Sequence, residues 1–254
     1  MTSPTLEFLG TGSAFTTDPD NYQSNLLLTG ASGRRLLVDC GGDVRRALFV
    51  RGVHARDLEA VYISHLHADH AGGLEWLGFT THFDPSAPRL TLFAAEPLIE
   101  PMWNNVLSGG MRHTVGAEGT LSTYFELAPL AERGSFTWDG VELSLVPTPH
   151  IIGSAGTITS YGLFITGAER SVFLTTDTVY AWHDAFDTAD VVLHDCETSG
   201  PPTGAHPTYA TLVEELPKNV RAKTWLYGYP PGALPDAAAD GFLGFARPGQ
   251  RFAL

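Results

Sequence analysis

The chain has 254 residues, 43% of them apolar, enough for one large domain with a core of its own. Its 28 acidic and 15 basic side chains leave a formal net charge of −13, and no basic run is longer than the pairs Arg34-Arg35 and Arg45-Arg46. This argues against a nucleic-acid polymer as partner, which needs a basic stripe, but leaves small anions open, because a bound metal can supply local positive charge. No apolar run approaches the ~18 residues that span a bilayer, and Met1-Thr2-Ser3-Pro4 has neither basic nor apolar leader character. No membrane partner and a cytoplasmic location are therefore expected. Cys40 and Cys196 are too few for a disulfide framework and end apolar runs, which predicts buried, inert thiols.

In chain order, strand-like runs come first at 6–9, 25–28, 35–38 and 60–63, closing in turn chemistry such as Gly10-Thr11-Gly12 and Gly41-Gly42. Between the third and fourth, 43–52 has helical spacing with Val44, Ala47 and Leu48 on one face. A second helix starts near Gly72 and runs through Leu74, Leu77 and Gly78; a third covers 96–107 with Pro97 in its first turn. The stretch 107–134 is rich in Gly and poor in apolar periodicity. It reads as a lid or dimer-contact insertion, or equally as a plain surface insertion. Further strands are expected at 141–145, 157–165, 171–175, 191–194 and 224–227, with a helix at 207–216. No repeat or linker divides the chain, so 1–254 is read as a single domain. Two strand-rich halves with helices outside imply a layered sandwich.

The densest chemistry is Ser64-His65-Leu66-His67-Ala68-Asp69-His70-Ala71-Gly72-Gly73, directly after an apolar strand. On an extended segment His65 and His67 project alike and can converge on one ion. The turn into the next helix then aims Asp69 and His70 at a neighbouring position, and Gly72 and Gly73 let backbone pass close by. Burying so many polar groups without a ligand is costly, so the run is read as a metal site.

His-x-His-x-Asp-His after a hydrophobic strand, preceded by Gly10-Thr11-Gly12 and Val38-Asp39-Cys40-Gly41, resembles the metallo-β-lactamase superfamily. The resemblance implies an α/β fold, the αββα sandwich of two mixed β-sheets with helices on the outer faces. It also implies two further metal ligands: His150, ending the run 145–150, and Asp177, ending 173–177 and bridging two ions. His65, His67, His150 and Asp177 would close one Zn²⁺ site. Asp69, His70 and Asp177 would form the second. Superfamily hydrolases carry a histidine after the late strand read here as Trp225-Leu226-Tyr227, and Gly228 stands in its place. The second ion is then held by three residues and water, or binds weakly, with His206 able to compensate. One or two Zn²⁺ per chain follow, with Mn²⁺ as an alternative. Restoring a histidine at 228 is expected to raise metal content and rate if the site has only lost a ligand. It should bring no gain if the neighbourhood is built around glycine.

His194-Asp195-Cys196-Glu197-Thr198, Ala205-His206-Pro207-Thr208-Tyr209 and Lys223-Thr224-Trp225-Leu226 are similar to the tRNase Z-like phosphodiesterases. Trp103 through Leu107-Ser108-Gly109-Gly110-Met111, and Asp240-Gly241-Phe242-Leu243-Gly244-Phe245, look like the anti-Pycsar proteins and their bacterial relatives. That likeness implies a homodimeric phosphodiesterase hydrolysing cyclic mononucleotides, such as cyclic CMP and cyclic UMP, through a metal-activated hydroxide. Asp69 would hold a metal and orient the water. His206 would be the general acid, unless it merely precedes the helix at 207. Glu197 is either a hydrogen-bond partner of a histidine or a solvated loop acid. His54, His82, His113, His183 and His194 are read as structural or surface residues, with His113 and Tyr124 reaching substrate if 107–134 is a lid. Two other functions stay open: hydrolysis of a lactone, thioester or sulfate ester at the same site, or nucleotide binding without turnover.

Overall fold

The computed structural model describes residues 3–180, 182–198 and 202–254; Met1 and Thr2, the start of the segment read for a leader, lie outside them. The first strands are β1 (Thr5–Phe8), β2 (Leu26–Thr29), β3 (Arg35–Val38), β4 (Ala60–Ile63), β5 (Thr91–Ala95), β6 (His113–Thr114), β7 (Ala117–Glu118) and β8 (Glu126–Leu130). They continue as β9 (Ser135–Trp138), β10 (Val141–Gly153), β11 (Gly156–Thr166), β12 (Ser171–Leu174), β13 (Val191–Asp195), β14 (Thr224–Tyr227), β15 (Gly244–Phe245) and β16 (Arg251–Ala253). One seven-stranded sheet runs β16-β1-β2-β3-β4-β5-β8, antiparallel as far as β3 and parallel beyond it. The other runs β15-β14-β13-β12-β11-β10-β9, parallel as far as β12 and antiparallel beyond it.

The two-residue alternation of side chains explains why these strands read as continuous apolar runs. Leu36 and Val38 of β3, and Ala60 and Tyr62 of β4, pack with Leu143, Leu163 and Leu193 of the opposite sheet. Their neighbours Leu37, Val61 and Ile63 face outward and are covered by helices Val44–Val50 and Leu74–Phe83 through Val44, Leu48, Leu74 and Leu77. Helices Tyr209–Glu215 and Lys218–Arg221 cover the second sheet with Leu212 and Val220. The layers are therefore helix, sheet, sheet, helix, as the resemblance implies.

Several elements differ from the sequence reading. The helix expected at 96–107 runs as an α-helix over Glu96–Pro101, then widens to a π-helix over Met102–Leu107 and closes with Ser108–Met111. Pro101 removes one amide from the ladder where the pitch changes. The strand expected at 141–145 extends to Gly153 through Pro147 and Pro149. It tolerates them because β9 pairs only with 141–144, leaving the rest of β10 with one partner strand, β11. The segment 107–134 is not one insertion: β8 forms the edge of the first sheet. Tyr124 is a core residue whose hydroxyl donates to the Met111 carbonyl at 2.6 Å, which corrects its reading as a group that reaches substrate. His194 is fully buried, as are the free thiols Cys40 and Cys196. Among the described residues no helix is long and apolar enough to cross a membrane.

Candidate metal centre

Five residues in and around the centre follow or end a strand at the carboxyl end of its parallel run, the edge where α/β sheets bind ligands. Asp39 follows β3, His65 follows β4, Asp177 follows β12, Asp195 ends β13 and Gly228 follows β14. His150 reaches the cluster differently. It is the extra residue of a β-bulge, unpaired between Pro149↔Thr159 and Ile151↔Ile158, and a bulge re-aims its side chain. The loops after β3 and β4 lie backbone on backbone: the Cys40 N–H donates to the His70 carbonyl at 2.7 Å, and the Gly73 N–H to Cys40 at 2.8 Å. A Cβ at Gly41 would run into the Asp69 carbonyl. Asp39 and Thr176 both sit at positive φ, 63° and 55°, a cost of about 1–3 kcal/mol each. Both positions flank the cluster.

His65 Nε2 and His150 Nε2 each lie 3.0 Å from His67 Nδ1, and 3.8 and 3.7 Å from Asp177 Oδ2. A tetrahedron with metal bonds of ~2.0–2.1 Å has edges of ~3.3–3.4 Å, which these separations bracket. Second partners fix the ring protons. His65 Nδ1 meets the Ser64 and Ser160 hydroxyls at 3.1 and 3.3 Å, and His150 Nδ1 donates to the Ala205 carbonyl at 3.0 Å. Both Nε2 atoms then point lone pairs at His67 Nδ1. One N–H can satisfy only one of them, whereas a cation satisfies all three, so the donor set fits a metal ion.

A second group shares Asp177. His70 Nε2 lies 3.1 Å from Asp69 Oδ2 and 3.2 Å from Asp177 Oδ1, while its Nδ1 donates to Asp39 Oδ2 at 2.7 Å. Asp39 also accepts from the Ser64 N–H and hydroxyl, both at 2.8 Å, so it fixes the histidine's orientation from behind. Both groups have the make-up of metal sites: His65, His67, His150 with Asp177, and Asp69, His70 with Asp177. Burial and the neighbouring imidazoles hold His65 well below the ordinary histidine range, so it is a neutral donor. Burial works against the charge of Asp177, but His70, His65 and His206 outweigh it and keep the carboxylate ionised.

Asp177 belongs to a third group with Asp195 and His206. Here His206 Nδ1 donates to Asp195 Oδ2 at 2.6 Å. Burial alone would lower His206, yet the Asp195 carboxylate outweighs it and lifts the imidazole to about 9. Its partner Asp195 is raised by burial to about 6 against the pull of His206. Glu197 does not bond a histidine. Its carboxylate accepts from the Thr203 N–H and hydroxyl at 3.1 and 3.2 Å, so the histidine-partner reading passes from Glu197 to Asp195.

Gly228 also has a physical reason. Its φ is +81°, and an ideal Cβ there lies 2.5 Å from Asp195 Oδ1. The position is built around glycine, with the space taken by the carboxylate that holds His206. A cleft of about 520 Å³ opens on all three groups, and Phe15 lies on its wall with 91% of its surface exposed. Asp39, Asp195 and Phe15 escaped the sequence reading as site residues. An acid closing an apolar strand, the feature that marked Asp177, marks Asp39 and Asp195 equally; Phe15 is a lone aromatic in a polar loop.

Comparison with known proteins gives the family and the fold. The family model described as "Anti-Pycsar protein Apyc1" matches residues 4–252. A relative of that description from Paenibacillus harenae is 35% identical, covering 88% of this chain and 89% of its own. Another from Bacillus phage vB_BveM-Goe7 is 31% identical over 98% of both chains. Among solved structures, the metallo-β-lactamase fold protein YhfI from Bacillus subtilis superposes with a TM-score of 0.74 at 19% identity, covering 99% of this chain and 100% of that one. With a metallo-β-lactamase fold around the His/Asp cluster and a family match over nearly its whole length, the chain belongs to the anti-Pycsar protein Apyc1 family.

Proposed function

We propose that the chain is a metal-dependent phosphodiesterase that hydrolyses cyclic mononucleotides. The carrying observation is the pair of donor groups sharing Asp177 on the floor of a cleft whose wall presents a protonated His206. Its volume, about 520 Å³, suits a mononucleotide rather than a polymer. His65, His67, His150 and Asp177 would hold one Zn²⁺, and Asp69, His70 and Asp177 would hold a second ion more weakly, because Gly228 contributes no side chain. Bound there, divalent ions supply Lewis acidity toward water and the phosphoryl oxygens. Asp69 orients the attacking water. His206 gives its proton to the leaving alkoxide, and Asp195, buried behind it, keeps that proton in place. Phe15 offers a flat apolar face to the base.

The reading extends to a cytoplasmic homodimer, supported by family likeness and by the hairpin β6–β7, where Val115 is fully exposed. A single-chain mass in light scattering would remove that part. The activity is tested with cyclic CMP, cyclic UMP, bis(p-nitrophenyl) phosphate and an acyl-homoserine lactone on metal-reconstituted protein. Turnover of the phosphodiesters and none of the lactone is expected. Lactone turnover alone, or nucleotide binding without turnover, overturns the proposal.

A further inference from the structure

We propose a second ligand site on the outer face of the first sheet, in the groove between helix Val44–Val50, the 3₁₀ turn Ala55–Asp57 and helix Leu74–Phe83. Its ligand is a free nucleotide: a phosphate monoester carrying a flat ring. The groove encloses about 730 Å³, within the range of small-molecule sites, and shares no lining residue with the metal cleft. Arg45, Arg46, Arg56 and His54 line it together with Phe49 and Trp76.

Eight of the 15 basic side chains make no ion pair or side-chain hydrogen bond among the described residues, and three of those eight line this one wall. Arg34, Arg35, Arg51 and Arg251 pair with carboxylates, while Arg89, Arg221 and Lys223 donate to backbone carbonyls. Among the described residues, Arg45, Arg46 and Arg56 have no ion pair within 4.0 Å and no side-chain hydrogen bond. In a chain of net charge −13, three guanidiniums line one concavity. Asp84, the one carboxylate on the wall, accepts from the Ser86 N–H and hydroxyl at 2.9 and 2.6 Å through Oδ1, and the nearby Arg56 charge also stabilises it. Planar guanidinium forks match phosphate oxygens.

The apolar partners are equally specific in place. On helix Val44–Val50, Arg45 and Phe49 stand one turn apart, as do Arg46 and Val50, so cationic and apolar residues share one helix face. Phe49 and Val50 are 75% and 61% exposed, although the opposite face of the same helix is buried. Trp76 comes from the facing helix. An aromatic ring on each side and cations at the rim suit a base with its phosphate.

The test is calorimetric titration of the metal-loaded protein with cytidine 5′-monophosphate. Wild type should show binding that the variant Arg45→Gln/Arg46→Gln/Arg56→Gln loses at least tenfold, with one fewer ligand bound per chain. Arg56→Gln alone should weaken it severalfold, which keeps the test informative if the triple variant folds poorly. Trp76→Leu should weaken the nucleotide but not inorganic phosphate. Hydrolysis of bis(p-nitrophenyl) phosphate, read at the metal cleft, should stay at the wild-type rate in every arginine variant. Wild-type stoichiometry and affinity in the triple variant overturn the proposal. So does inorganic phosphate binding as tightly as the nucleotide regardless of Trp76, which would mean an adventitious ion only. The groove does not depend on the phosphodiesterase reading, since loss of this binding and loss of turnover are separate signals.

Discussion

Gly228→His puts the account of the second metal group under the most direct strain. By ligand counting it should restore a missing imidazole. The structure predicts the opposite. A non-glycine residue at φ +81° costs about 1–2 kcal/mol. Its Cβ must also displace Asp195 Oδ1, 2.5 Å away, from a buried carboxylate bonded to His206. Breaking a buried pair costs about 3–5 kcal/mol, toward the lower end here because His206 is a quarter exposed. The sum is about 4 kcal/mol, and at about 2–4 °C per kcal/mol the melting midpoint falls by about 8–16 °C. Gly228→Ala carries the same Cβ without a ligand and should lose nearly as much. Thermal melts and elemental analysis of both variants decide it: no added metal, lower stability and lower turnover are expected. A histidine variant that melts like wild type and gains an equivalent of metal and rate would refute the reasoning.

Asp195→Asn removes the charge that holds His206 at about 9, leaving burial to push the imidazole down. If it fell to an ordinary ~6.5, the protonated fraction at pH 8 would drop from about 90% to about 3%. Cyclic-nucleotide turnover should then fall by about thirtyfold at that pH and its alkaline limb move to lower pH, with bis(p-nitrophenyl) phosphate, whose leaving group needs no proton, far less affected. An unmoved limb would remove His206 as the acid. Phe15→Ala should raise KM for cyclic nucleotides by about 5- to 150-fold, from a stacking contribution of about 1–3 kcal/mol, and leave kcat nearly unchanged; an unchanged KM contradicts a stacking role. His194 is fully buried, with burial lowering it to about 4, so the fold holds it neutral. Above the unfolded value of ~6.5 this costs nothing, but between ~6.5 and ~4 only the unfolded chain gains the proton, and stability falls by about 3 kcal/mol. Urea unfolding across that window should show the loss in wild type and a flatter curve in His194→Gln; parallel curves would count against it.

The run from His65 to His70 was legible because its chemistry is local: alternation along a strand end and one helical turn bring four donors together. His150 and Asp177 were legible only through resemblance, since what assembles them is a bulge at Pro149/Ile151 and a strained turn at Thr176, neither of which has a periodic signature. Pro147 and Pro149 concealed the length of β10 for the same reason: prolines read as strand ends unless the missing partner strand is known. Gly228 looked like a lost ligand because a sequence records that a side chain is absent and not what occupies its space. The Asp195 carboxylate occupies it, from a neighbouring strand 33 positions earlier in the chain. Strands β5, β8, β9, β15 and β16 were missed: the last four are short edge strands with little to mark them, while β5, paired on both sides, is a short apolar run without alternation.

The central claim is that turnover of a cyclic nucleotide depends on metal held through Asp177. Its most direct measurement is the rate of cyclic CMP hydrolysis against bound metal per chain, for wild type and Asp177→Ala, as Zn²⁺ or Mn²⁺ is returned to chelator-stripped protein. Wild-type activity should rise with metal content, and the variant should lose metal from both groups and at least ~10³-fold in rate. Hydrolysis that persists in stripped protein, or survives Asp177→Ala undiminished, would contradict the account.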